Sequence, residues 1–195
     1  MSFGQTPSQT VGPYFAYGLA APQYGYPFTG LASDQVADEF VPGERIRIAG
    51  RVFDGAGAPI PDAMIEIWQA DSEGRYAHPN DARASNQRFR GFGRFGTGTE
   101  RENRFIFSTV KPGSVDGVQA PHINVIVFMR GMLLHAYTRI YFADEVLNQN
   151  DPVLQTLAPE ARATLMAQRV PSSTGLLYRW EICMQGDKET VFFDG

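Results

Sequence analysis

The chain has one cysteine in 195 residues, Cys183. An internal disulfide is therefore excluded, and the fold must rest on its core and its backbone hydrogen bonds. Cys183 lies in a strand-like run and reads as a small buried hydrophobe rather than a reactive thiol. No apolar run approaches the roughly 20 residues that cross a bilayer, so no membrane partner is expected. Residues 1–9 are polar and lack the apolar stretch of a secretory signal, which points to a cytoplasmic, reducing compartment. Positive charge is not in excess: 17 Lys and Arg face 21 Asp and Glu, for a net charge of −4. Without a basic stripe, nucleic acid is not an expected partner. Histidine is scarce too. Only His78, His122 and His135 are available to any imidazole chemistry.

What is present describes one folded domain rich in turns. Hydrophobic residues make up 43% and charged residues 19%, with 20 Gly and 13 Pro, so a full core is affordable and turns are many. Period-two alternation begins at Arg45-Ile46-Arg47-Ile48 and returns at Met64-Ile65-Glu66-Ile67-Trp68-Gln69 and at Arg104-Phe105-Ile106-Phe107. Residues 122–130 and 133–142 read as a hairpin around Gly131, and 176–184 as a last strand. Residues 71–103 read as a polar loop. One helix is expected from Pro159, which suits a first helical position, with Pro171 beyond its end. The expectation is an all-β protein: a β-sandwich over residues 45–195 with one short C-terminal helix. Residues 1–44 form an extended N-terminal arm. Its Tyr and Phe are too dense to be left in water, so it is expected to dock on its own domain or on a partner.

Two segments invite chemistry: Glu66 to Tyr76, and Ala120-Pro121-His122-Ile123-Asn124. Residues two apart on a strand share a face, so His-x-His there would aim two imidazoles at one point. Here the second position is Asn124, whose neutral amide is a poor transition-metal ligand. Asp71, Glu73 and Asp81 lie in a polar stretch and read as solvated. No Gly-x-Ser-x-Gly elbow occurs, and no helix pattern follows Gly91-Phe92-Gly93 to make a phosphate loop. His78 and His135 carry no signal of their own.

Several motifs occur in a fixed order. They are Gly50-x-Val52-x-Asp54-x-x-Gly57, Glu66-x-Trp68-Gln69-Ala70-x-x-x-Gly74-x-Tyr76, Gly91-x-Gly93-Arg94, Phe107-x-Thr109-x-Lys111-Pro112-Gly113 and Pro121-His122-Ile123. Through them the chain resembles the intradiol ring-cleaving dioxygenases nearly end to end. Thr6-Pro7-Ser8-Gln9-Thr10-x-Gly12-Pro13-Tyr14 and the ending from Gly186 to Asp194 are similar to the protocatechuate-cleaving branch.

The resemblance implies a reaction that uses O2 to open protocatechuate between its hydroxyl-bearing carbons, giving 3-carboxy-cis,cis-muconate in the β-ketoadipate pathway. Catalytic chains of the family hold Fe3+ with two Tyr and two His. Two of those positions fall on Tyr76 and His122 here. The other two fall on Val115 and Asn124, and an arginine before the His pair is replaced by Gln119. The resemblance therefore implies no catalytic residue and no metal on this chain. It implies an alpha-type subunit beside an iron-binding beta subunit, in a hetero-oligomer that carries Fe3+ on the partner. It also implies that Arg130, Gly12 and Pro13 line the partner's substrate cavity, and that Tyr14 packs at the interface. Strand parity puts Arg130 on the face of His122, while from pattern alone it reads as a surface or salt-bridged arginine. Tyr76 and His122 are expected as a bonded pair or a packed remnant. Two other readings remain open: a stand-alone β-sandwich binding module, and a self-sufficient dioxygenase with unusual ligands.

Overall fold

The computed structural model describes residues 10–12, 14–83 and 86–194. Pro13 and the motif over residues 6–9 lie outside them. The architecture is an all-β sandwich, as expected. Among the described residues, nine strands form: β1 Arg45–Phe53, β2 Met64–Gln69, β3 Phe92–Gly96, β4 Arg104–Val110, β5 His122–Phe128, β6 Ala136–Phe142, β7 Met166–Val170, β8 Leu176–Arg179 and β9 Ile182–Cys183. One layer runs β3-β2-β5-β6 and the other β7-β8-β1-β4, joined where β7 pairs in parallel with β6. Alternation explains the core. Ile46, Ile48, Val52, Phe105 and Phe107 enter it from one layer, and Ile65, Ile67, Ile123, Val125 and Val127 from the other.

Residues 33–37 stitch the open side. Val36 N–H donates to Ser108 O (3.0 Å), Ser108 N–H to Asp34 O (2.9 Å) and Arg94 N–H to Ser33 O (3.0 Å). Val36 is fully buried as a result. This part of the arm thus covers the edges of β3 and β4, which would otherwise offer unpaired backbone groups. Farther out, the arm forms the short helix α1, Phe15–Leu19, and presents Tyr14, Tyr26 and Phe28 to solvent.

Four local expectations are corrected. Residues 71–103 are not all loop, because β3 pairs along β2 from Met64↔Gly96 to Trp68↔Phe92. Glycine masked this strand. At Gly93 a Cβ would come within 2.7 Å of Val36 Cγ2, so the close approach of the arm requires its absence. The helix from Pro159 stops at Ala163, and a second short helix, Pro152–Gln155, precedes it. Helical spacing beyond Ala163 is overruled by pairing, since Met166 and Ala167 sit beside Tyr141 and Phe142. The run 176–184 breaks between β8 and β9, where Trp180 crosses β1 at Gly50. A Cβ on Gly50 would lie 1.7 Å from the Trp180 carbonyl oxygen. The hairpin strands are shorter than expected, ending at Phe128 and restarting at Ala136.

Candidate functional site

The residues that sequence singled out, Tyr76, His122 and Asn124, gather on the outer face of β2, β5 and β6. Odd positions of β5 enter the core, which leaves His122, Asn124, Ile126 and Phe128 on the opposite face. Pairing then places Trp68, Asn124 and Arg139 in one row across three strands, with Tyr141 beside His122 in the next. Tyr76 reaches this row from the 71–83 turn. Its ring stacks on Trp68 at 5.8 Å with planes 6° apart. Asp71 makes the turn possible. It is buried, not solvated as expected, because it accepts N–H bonds from Glu73 (2.9 Å) and Arg75 (3.0 Å) and an ion pair from Arg75. Asp81 accepts the Tyr76 N–H (2.9 Å) and binds Arg83, and these bonds hold its carboxyl well below the usual range. Glu73 is exposed.

Tyr76 and His122 are not hydrogen-bonded to each other. The Asn124 amide donates to the Tyr76 hydroxyl at 3.4 Å. His122 Nδ1 faces Ala120 O at 2.8 Å, and its ring lies 5.6 Å from that of Tyr141. Burial pushes the Tyr76 phenol up and the His122 imidazole down. Both shifts favour the neutral forms, and a nearby Arg139 also disfavours imidazolium. The Arg139 guanidinium donates to Gln119 Oε1 (3.3 Å) and Tyr141 Oη (3.4 Å) and lies over Phe193. Val115 is half-buried, and its carbonyl accepts from Arg83 (2.9 Å).

These residues do not fit a ferric ion. A phenol and an imidazole face an amide, an aliphatic side chain and a permanent cation, where a tight site needs several anionic or imidazole donors. Among the described residues, no group of three His, Cys, Asp or Glu is placed to hold a metal.

Arg130 lies elsewhere. It follows the far end of β5, eight residues from His122, or roughly 26 Å along a strand. Parity alone could not show this separation. Arg130 Nε donates to Asp62, and its side chain is 58% exposed. The arm arrives at the same place. Thr10 Oγ accepts the Gly131 N–H (3.1 Å), and the Phe15 ring packs on Phe128 at 5.9 Å. Gly12, between these anchors, lines a cavity of about 150 Å³ together with Asp62 and Phe15. Arg130 also borders a larger cavity of about 820 Å³ lined by His135, Tyr137, Met184, Phe192 and Phe193. His135 bonds Tyr137 Oη at 2.6 Å, while His78 packs edge-on against Trp68 and accepts the Asn80 N–H. Tyr14 is 79% exposed.

Sequence reading missed Asp62, Tyr141 and Arg139. The available signal for Arg139 was a cation one residue before the apolar run Ile140-Tyr141-Phe142, on a strand already expected to pair with His122.

A dioxygenase family, described as Dioxygenase, matches residues 19–186. The chain is 50% identical over 192 residues to the protocatechuate 3,4-dioxygenase alpha chain of Burkholderia cepacia, covering 97% of both chains. It is 41% identical to the Pseudomonas putida alpha chain, covering 97% of this chain and 96% of the relative. Identity to the beta chain of Burkholderia cepacia is 31%, covering 87% of this chain and 79% of the relative. Among solved structures, the dioxygenase domain of a dioxygenase carbohydrate-binding protein fusion from Streptomyces sp. SirexAA-E superposes with a TM-score of 0.63. That match has 22% identity and covers 96% of this chain and all of that one, which shows a shared fold. The chain belongs to the intradiol dioxygenase family.

Proposed function

We propose that this chain is the alpha, non-iron-binding subunit of a protocatechuate 3,4-dioxygenase. It works beside a beta subunit that holds Fe3+, in a hetero-oligomer of the cytoplasm devoted to aromatic catabolism. The observation that carries this reading is the graded likeness: 50% and 41% identity to alpha chains against 31% to a beta chain. The amide at Asn124, in place of a second imidazole, supports it. In the complex the partner's iron supplies the chemistry with O2, and no reaction step is assigned to residues of this chain.

What this chain contributes is a wall and a charge. Arg130 cannot lose its proton, and its fork suits the carboxylate of 3,4-dihydroxybenzoate. Gly12 and Pro13, with no long side chains, let the ring approach. The tethering of Thr10 at Gly131 and of Phe15 at Phe128 keeps Gly12 near the Arg130 counter-ion, Asp62. Among the described residues, no helix is long and apolar enough to cross a membrane. The exposed arm and the Arg130 hairpin make more sense as parts of a neighbour's site than as a stand-alone binding module.

Co-expression with a beta chain from a neighbouring reading frame tests the proposal. Equal amounts of the two chains should co-purify, with about one iron per pair. The pair should show the visible tyrosinate-to-iron band and consume protocatechuate. This chain alone should show neither the band nor turnover. Iron near one per chain, with turnover, in this chain alone would overturn the reading.

A further inference from the structure

We infer that Arg139, by its charge, bars metal from the pocket of Tyr76, His122 and Asn124, separately from the ligands lost at Val115 and Asn124. The inference concerns this chain's own pocket and holds whether or not the beta partnership is as proposed. Four observations carry it. Arg139 is directly opposite Asn124 in the β5–β6 register, on the face that carries His122. Its guanidinium is held there by Gln119 Oε1 and Tyr141 Oη, and Tyr141 is itself the cross-strand neighbour of His122. Tyr76, through its contact with Asn124, closes the same ring. Finally, Arg139 makes no ion pair within 4 Å among the described residues; Asp151 and Asp116 are linked to it through Tyr141 and Gln119, which donate to them at 3.4 Å and 3.1 Å.

Arg139 is half-buried. There, a charge is screened less than at an open surface, and a cation bound beside it is repelled strongly. Guanidinium cannot escape the conflict by deprotonating. Hydrogen bonds to two neutral oxygens fix its position without a direct ion pair. Loss of two ligands alone would leave a pocket that one substitution could partly repair. With Arg139 in the ring, restoring an imidazole at position 124 is not enough.

The test uses the full chain and Cu2+, an ion that imidazole and phenolate both bind well. Three variants are compared: Asn124→His, Asn124→His with Arg139→Gln, and Asn124→His with Arg139→Lys. The readouts are the Cu2+ dissociation constant by chelator competition and imidazole nitrogen coupling in the electron paramagnetic resonance spectrum. Asn124→His with Arg139→Gln should bind about ten- to a hundredfold more tightly than Asn124→His alone, the size of effect that groups around a metal's ligands usually exert. The Arg139→Lys version should bind as weakly as Asn124→His alone, because it keeps the charge. Thermal unfolding checks each variant. If Gln at 139 prevents folding, Arg139→Met replaces it and keeps a stem over Phe193. The inference is overturned if Asn124→His alone binds as tightly as the Gln version. It is equally overturned if the Gln version shows no imidazole-bound copper, or if Lys behaves like Gln.

Discussion

Arg130 donates through Nε to the carboxylate of Asp62, which stands just before β2 and 68 residues away in sequence. The pairing gives the proposed substrate contact a built-in competitor. A substrate carboxylate approaching Arg130 meets a guanidinium already half committed, and the site must share it.

In the complex with its beta partner, Arg130→Ala should raise KM for protocatechuate by roughly ten- to a hundredfold, the usual worth of one charge-assisted contact. Catechol, which has no carboxylate, should be little affected. Asp62→Asn should act in the opposite direction and lower KM a fewfold by freeing the guanidinium. Because Arg130 is more than half exposed, the Arg130→Ala effect should shrink at high salt. Steady-state kinetics on both substrates decide the matter, and equal losses on protocatechuate and catechol would make Arg130 structural.

The arm should make the isolated chain self-associate. Tyr14, Tyr17, Tyr26 and Phe28 touch in a chain of ring contacts and remain exposed, with Phe28 at 66%. An apolar patch of this kind draws copies together in water. Light scattering on the purified chain should show oligomers that the beta partner disperses. Tyr26→Ser with Phe28→Ser should weaken the association without lowering the melting temperature. A monodisperse wild-type monomer at working concentrations would count against the arm as an interface.

His122 should make the fold acid-sensitive. Burial lowers its folded pKa below the unfolded value of about 6.5, so the unfolded chain binds the proton more readily. Stability from this residue is complete above about pH 6.5 and falls as pH drops through that value toward the folded pKa. His122→Asn retains a donor for Ala120 O and removes the titration. Its melting temperature should therefore fall less than wild type between pH 7 and pH 5. Parallel pH profiles for the two proteins would show that His122 does not couple to folding.

Gly50→Ala should be severe. The added Cβ meets the Trp180 backbone rather than a flexible side chain, so β1 and the β8–β9 crossing must separate. About 3 kcal/mol or more is expected, at the upper end of overpacking costs. Gly57→Ala makes the control: its φ of +77° strains an alanine, but nothing lies within 4 Å. That substitution should cost about 1–2 kcal/mol. Urea unfolding of both separates collision from backbone strain, and equal losses would remove the special role of Gly50.

Whatever depends on neighbours along the chain was already legible in the order of the residues. Alternation over Arg45–Phe53 and Arg104–Val110 showed which residues enter the core, because side chains on a strand change sides at every step. The face shared by His122 and Asn124 was legible the same way. The same reading failed where pairing across the chain overrode local pattern. Met166–Val170 carries helical spacing but is a strand, because Tyr141 and Phe142 offer it backbone partners. The glycines of Phe92–Gly96 spell a loop but let the arm pack onto an edge strand. It took strand pairing to put Arg139 opposite Asn124, and folding to leave Arg130 beyond the far end of β5, bound to Asp62. Parity names the face a residue takes. It does not give the register of the next strand or the distance along this one, and those follow from hydrogen bonds between residues far apart in sequence.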